Sequence, residues 1–181
     1  MTMPWVSSDT EIWGFDANDD ILWYPDASTS LVWEFATAFD PCSVDEGSIN
    51  SGELASIYTY DNNKFILNEM NYTPGMCYTF SHLQVPDPSD NYFLHFRGTY
   101  GGSDDHDVQF QVYNWDDSTG WTTFFTLDNS TFTQDYYENI PAGSKYFNGQ
   151  TLTIRTIHPD AGNSGHLFRI NYWKLHQGVA S

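Results

Sequence analysis

From its middle onward this chain repeats its side-chain character every two residues, the period of a strand and not the 3.6 of a helix. "FQVYNW" and "FRINYW" alternate plainly, and "LVWEFATAF", "ELASIYTY", "CYTFSHL", "YFLHFRGT", "WTTFFTL" and "TLTIRTI" are β-rich runs of strand length. Turn clusters punctuate them, among them "NYTPGM", "VPDPSDN", "YGGSDD", "WDDSTGW" and "PDAGNSG". No stretch sustains a helical period. Short strands with this punctuation predict an all-β chain, an antiparallel β-sandwich of jelly-roll type with helix confined to short turns. The first thirty residues depart from the pattern, scattering large aromatics among Asp and Ser without clean alternation. The expected organisation is an N-terminal arm over 1–30 and one jelly-roll domain over 31–181.

Composition agrees. Asp outnumbers Glu 18 to 6, and Asp favours turns and caps where Glu favours helices. The net charge of −18 repels a polyanion, which argues against nucleic acid as a partner. No apolar run is long enough to span a bilayer, so no membrane insertion is expected. The start "MTMPWVSSDTEIW" has neither a basic stretch nor an apolar core of signal-peptide length. Cys42 and Cys77, the only cysteines, fit no zinc pattern, and their disulfide state stays open.

One device occurs twice. "YGGSDDHDVQFQVYNW" and "DAGNSGHLFRINYWKL" each run from a glycine turn through a histidine into alternating residues, and each follows a strand with an arginine. Arg97 precedes His106 by nine positions and Arg155 precedes His166 by eleven. Both segments read as hairpins whose second strand begins near the histidine. Two roles compete for His106 and His166. One is ligation of a metal with Asp104, Asp105 or Asp107, but no third and fourth ligand stand at a fixed spacing. The favoured role is structural turn bracing, an Arg and a His at one end of the sandwich for each hairpin, with Arg97, His106, Arg155 and His166 as the bracing set.

The stretch "YFLHFRGTYGGSDDHDVQFQVYNWDDSTGW" followed by "FNGQTLTIRTIHPDAGNSGHLFRINYWKL" resembles a jelly-roll domain of tailed-bacteriophage virion structural proteins, over roughly residues 72–175. "NEMNYTPGMCYTF" looks like that family's lead-in. The wider shape is similar to galactose-binding-like β-sandwiches, which include many carbohydrate-binding modules. Asn171 stands where the family usually has an Asp, which puts a calcium ligand there in doubt. The resemblance implies a non-enzymatic virion structural protein, a capsid decoration or appendage component that binds neighbouring virion subunits or itself. Its alternative is a non-catalytic carbohydrate-binding or lectin-like protein touching cell-surface glycans. The matching locations are the virion or, for the alternative, the extracellular space.

Other patterns carry less. Asp16, Asn18 and Asp20 begin like an EF-hand, but Ile21 and Ala27 stand where its glycine and closing glutamate belong. No cofactor is expected, and a structural calcium in such loops stays open. There is no GxSxG, HExxH, P-loop or glucanase carboxylate run, so no catalytic residue is assigned. Glu69 is expected to face solvent or to pair with a basic residue. Among Tyr100, Tyr113, Trp115, Trp121 and Trp173, whose flat faces suit pyranose C–H faces, Tyr113 reads as core. Trp115, Trp121 and Tyr100 are the candidate glycan contacts. Trp5, Trp13, Phe15, Trp23 and Tyr24 are too aromatic to remain in water, each ring gaining roughly 1.5–3 kcal/mol on burial. They are the expected subunit contacts.

Overall fold

A computed structural model describes residues 5–6, 12–15, 21–24, 31–32, 35–38, 47–57, 59–82, 85, 87–117 and 120–180, and up to residue 38 the backbone alone. Strands β1 (Trp5–Val6), β2 (Ile12–Phe15) and β3 (Ile21–Tyr24) pair antiparallel with one another. The segment read as an arm therefore has strands of its own, while the side chains of Trp5, Trp13, Phe15, Trp23 and Tyr24 lie outside the described residues. So do Asp16, Asn18, Asp20 and Cys42.

The remaining strands are β4 (Leu31–Val32), β5 (Phe35–Ala38), β6 (Ser48–Ser51), β7 (Phe65–Asn68), β8 (Met76–His82) and β9 (Tyr92–Gly101). They continue with β10 (Asp107–Tyr113), β11 (Trp121–Asp128), β12 (Gln134–Asn139), β13 (Phe147–Asn148), β14 (Thr151–His158) and β15 (Leu167–Gln177). The front sheet runs in the order β11-β10-β14-β8-β5, with β13 on β14. The back sheet runs β12-β9-β15-β7-β6, with β4 on β15. The pairings within both are antiparallel. Among the described residues, helix is limited to 3₁₀ turns at Leu54–Ile57 and Ser144–Tyr146. The all-β sandwich expected from alternation is the fold.

Alternation explains the core. In β10, Val108, Phe110 and Val112 are fully buried while Gln109, Gln111 and Tyr113 are only partly covered. The same rule along β14 buries Leu152, Ile154 and Thr156 and leaves Thr153 and Arg155 outside. Between the sheets, Phe96 meets Phe110 at 5.0 Å and Phe168 at 5.7 Å, and Trp173 stacks on Phe80 at 4.3 Å. Edge-to-face and offset contacts of this kind add to the gain from burial itself.

The two repeated segments are not hairpins. β9 belongs to the back sheet and β10 to the front; β14 belongs to the front and β15 to the back. Residues 102–106 and 159–166 carry the chain across the end of the sandwich, in opposite directions. Alternation fixes the face a side chain takes but not the strand beside it, so a hairpin and a crossing read alike. The resemblance between the segments is nevertheless structural. Each crossing ends in a turn closed on its histidine, with His106 N–H donating to Ser103 O at 3.0 Å and His166 N–H donating to Asn163 O at 2.8 Å.

Candidate functional site

Among the described residues, polar chemistry gathers on the outer face of the front sheet, at one end of the core, and on the outer face of the back sheet, where Asp135 meets His95, Arg97 and the Tyr60 hydroxyl.

On the outer face of the front sheet, Tyr113 lies between Trp115 and Trp121, with ring centroids 4.6 and 4.9 Å away and near-perpendicular or tilted planes. Trp115 is 45% exposed. The guanidinium of Arg155 sits 4.2 Å over the Trp121 ring, a cation–π contact that restrains both groups. Arg155 Nε donates to Gln111 Oε1 at 2.7 Å. Gln111 Nε2 then reaches Gln109 Oε1 at 2.9 Å and Thr123 Oγ1 at 3.0 Å. Thr153 Oγ1 and Ser81 Oγ, 3.5 Å apart, continue the polar row on the neighbouring strands.

Register explains this assembly. Tyr113 faces Trp121, Gln111 faces Thr123 and Arg155, and the β-bulge beside Phe110 falls where two consecutive β11 residues, Phe124 and Phe125, both pack against the core. Gly120 holds the turn under Tyr113 at φ 73°. A Cβ there would come within 2.6 Å of the Tyr113 ring. Only glycine suits both the left-handed backbone and the close approach. The result is a cluster of edge-to-face aromatic rings beside a hydrogen-bonded row of planar polar groups, partly open to solvent. The two acids of this strand pair, Asp107 and Asp128, face each other at its other end.

The end of the core is built from the same alternation, carried one residue past the apolar run of each strand. Glu69 follows Phe65 and Leu67, His106 precedes Val108, and His166 precedes Phe168. Tyr100 and His158 end the inward rows of β9 and β14. All five side chains therefore meet in one polar layer. Glu69 is fully buried, so of the two expectations for it the solvent-facing one is corrected, and its partners are histidines. Tyr100 donates its hydroxyl to Glu69 Oε1, His158 Nδ1 lies 2.9 Å from the same oxygen, and His166 Nδ1 lies 3.0 Å from Oε2. The Asn163 N–H also donates to Oε2, at 2.9 Å.

Burial opposes ionisation of Glu69, but hydrogen bonds from His158, Tyr100 and the Asn163 amide outweigh it and hold the carboxyl down at about 2. The rings of His106 lie 4.6 Å from His158 and 5.1 Å from His166. Two turns fold over the layer because Gly75 and Gly162 lack side chains. A Cβ on Gly75 would stand 2.5 Å from Gly162 Cα and 2.6 Å from His158 Nδ1.

The sequence candidates fall in different places. Tyr100 is fully buried and holds Glu69, so it is not a surface glycan contact; its inward parity on β9 is the reason. Tyr113, read as core, is partly exposed on the platform. Trp173 is core, donating its indole N–H to His82 Nε2 at 2.9 Å. The four bracing residues do not meet as a set. His106 and His166 share the end layer, but Arg155 is on the front platform and Arg97 is on the outer face of the back sheet. There Arg97 reaches Asp135 at 3.0 Å and also contacts the Tyr60 hydroxyl. Asp104, weighed as a partner for the histidines, instead accepts from Asn129 at 3.1 Å. Glu69 and His158 of the end layer, and Gln109 and Gln111 of the platform, were not singled out as site residues. Parity continued past each strand end was the signal that could have found the buried pair.

No family model and no curated protein matches the chain. Among solved structures, it is similar to a mutant of the family 29 carbohydrate-binding module CBM29-2 complexed with mannohexaose. That structure is 14% identical over 84% of this chain and 92% of that one, with a TM-score of 0.48. Another mutant of the same module, complexed with cellulohexaose, is 13% identical over 84% and 92%, also at 0.48. A CBM4 structure is 10% identical over 73% and 78%, at 0.46.

Proposed function

We propose that this protein is a non-catalytic carbohydrate-binding module that receives a neutral glycan along the outer face of its front sheet. The observation that carries the reading is the platform of Trp115, Tyr113 and Trp121 joined to the Arg155–Gln111–Gln109–Thr123 hydrogen-bond row. Aromatic faces take the C–H faces of pyranose rings, and planar amide and guanidinium groups pair with neighbouring hydroxyls. Because these side chains already hold one another, less freedom is lost when a sugar arrives. A charge of −18 disfavours anionic polysaccharides, which is why the ligand is proposed as neutral. The disulfide at Cys77 fits an extracellular setting. The expected virion role gains no support from the comparisons, and only the backbone of its expected subunit contacts is described.

The test is isothermal titration against a panel of neutral oligosaccharides, with product analysis of the same mixtures. A saccharide should bind without being cleaved. Trp121→Ala and Arg155→Ala should each weaken binding at least tenfold while far-UV circular dichroism is unchanged. Absence of binding across the panel, unaltered binding in both variants, or released reducing ends would overturn the reading.

A further inference from the structure

In the sequence, no third ligand stands at a regular spacing from His106 and His166. The fold supplies that ligand from a distant strand. A carboxylate oxygen of Glu69 and one ring nitrogen each from His106 and His166 lie within 4.8 Å of one another. We propose that these three residues bind one late first-row divalent cation, with Zn²⁺ as the reference ion.

The donor set is the first reason. Two imidazoles and one carboxylate suit zinc and its neighbours, whereas Ca²⁺ and Mg²⁺ require mostly oxygen ligands. Spacing is the second. Zn–N and Zn–O bonds of about 2.0–2.2 Å put tetrahedral donor atoms roughly 3.4 Å apart. His166 Nδ1 and Glu69 Oε2, at 3.0 Å, already stand near that separation. His106 has only to swing inward, and its Nδ1 is buried without a hydrogen-bond partner.

The surroundings are those that orient metal ligands. The Tyr100 hydroxyl donates to Glu69 Oε1, with His158 Nδ1 2.9 Å away, and the Asn163 N–H donates to Oε2, which fixes the carboxylate while Oε2 keeps its second lone pair for the ion. His158 is itself fully buried and its Nε2 has no partner, so this layer holds polar capacity that its own hydrogen bonds do not use. Ser103 Oγ lies 3.3 Å from His166 Nε2. That contact accommodates either tautomer. Without metal, Nδ1–H donates to Glu69 and Nε2 accepts from Ser103; with metal, Nδ1 carries the ion and Nε2–H donates to Ser103. His106 and His166 are partly exposed, so an ion can enter from the turn side, and water can complete its coordination. The ion ties both sheet-to-sheet crossings to the end of β7.

The experiment uses untagged full-length protein stripped with a chelator and titrated with Zn²⁺, then with Co²⁺ followed by visible absorption. One equivalent should bind, Co²⁺ should give an intense four-coordinate band, and millimolar Ca²⁺ should displace neither. At a hundredfold excess over Kd, Zn²⁺ should raise Tm by about 5–10 °C. His106→Ala and His166→Ala should each lower affinity at least a hundredfold. No saturable uptake, or one equivalent retained by both variants, would overturn the proposal. Should either variant fail to fold, long-range ¹H–¹⁵N correlation on the unaltered protein decides the matter. Zn²⁺ should move the ring nitrogens of His106 and His166 and leave those of His82 in place; unchanged resonances at the first two would equally overturn it. Platform and end layer are separate, so sugar retention is scored independently of metal uptake.

Discussion

Trp173 is wholly enclosed, and an enclosed indole N–H needs an acceptor. His82 Nε2 provides it at 2.9 Å, which places the imidazole proton on Nδ1. Burial alone pushes His82 down to about 3. An unfolded histidine titrates near 6.5, so below that pH the unfolded chain takes up a proton that the folded one refuses. Stability is therefore whole above about pH 6.5 and is lost as pH falls toward 3, by about 1.4 kcal/mol per pH unit for each such group. His176, pushed down to about 3 first by burial and then by His95 and Lys174, acts in the same direction. Urea midpoints should fall steadily from pH 7 to pH 4. His82→Gln keeps an acceptor for the indole but does not titrate, and its acid limb should be shallower. Equal slopes for the two proteins would assign the acid sensitivity elsewhere. At this scale the sequence was legible where parity was followed and misleading where residue type was trusted. Glu69, expected to face solvent or to pair with a basic residue, does pair with His158 and His166, but inside: carboxylates rarely go there, and only its place after Phe65 and Leu67 puts it on the buried face. Tyr100 was given to the surface although it shares its parity with Phe96.

For elements, alternation identified most of the strands but not their partners; it also gave "ELASIYTY" to a strand where Leu54–Ile57 form a 3₁₀ turn, and it passed over β7 and β12. β9 with β10, and β14 with β15, look like neighbours in sequence and lie in opposite sheets. Pairing is decided by which apolar faces close over each other, which involves residues far apart in the chain. Turn chemistry was more local and more legible. "DDSTG" was read as a turn, and Gly120 in it supports the aromatic platform. Replacing Gly120 with Ala forces a side chain into a left-handed backbone, at about 1–2 kcal/mol, and against the Tyr113 ring. We expect a Tm drop of roughly 2–8 °C by calorimetry, together with weaker sugar binding from a displaced Tyr113. A variant as stable as the parent, with binding intact, would show that the turn does not set the platform.

The whole molecule carries a net charge of −18 and a disulfide at Cys77. Self-repulsion opposes compactness, so a covalent tie that restricts the unfolded chain matters more here than in a neutral domain. Reduction with dithiothreitol should lower Tm, by an amount corresponding to about 2–4 kcal/mol, and the drop should be larger at low ionic strength than at 0.5 M salt. Superimposable melts before and after reduction would remove the disulfide from the account. The strand order has a further consequence, for the order of events during synthesis. β14 is the middle strand of the front sheet and β15 the middle strand of the back sheet, yet within the sandwich they are the last two strands to be made. Until then each sheet is two unjoined halves, with β10 and β8, and likewise β9 and β7, offering bare edges to any other nascent chain. Folding of this sandwich is thus deferred to its final strands, and for most of its synthesis the chain depends on whatever shields those edges.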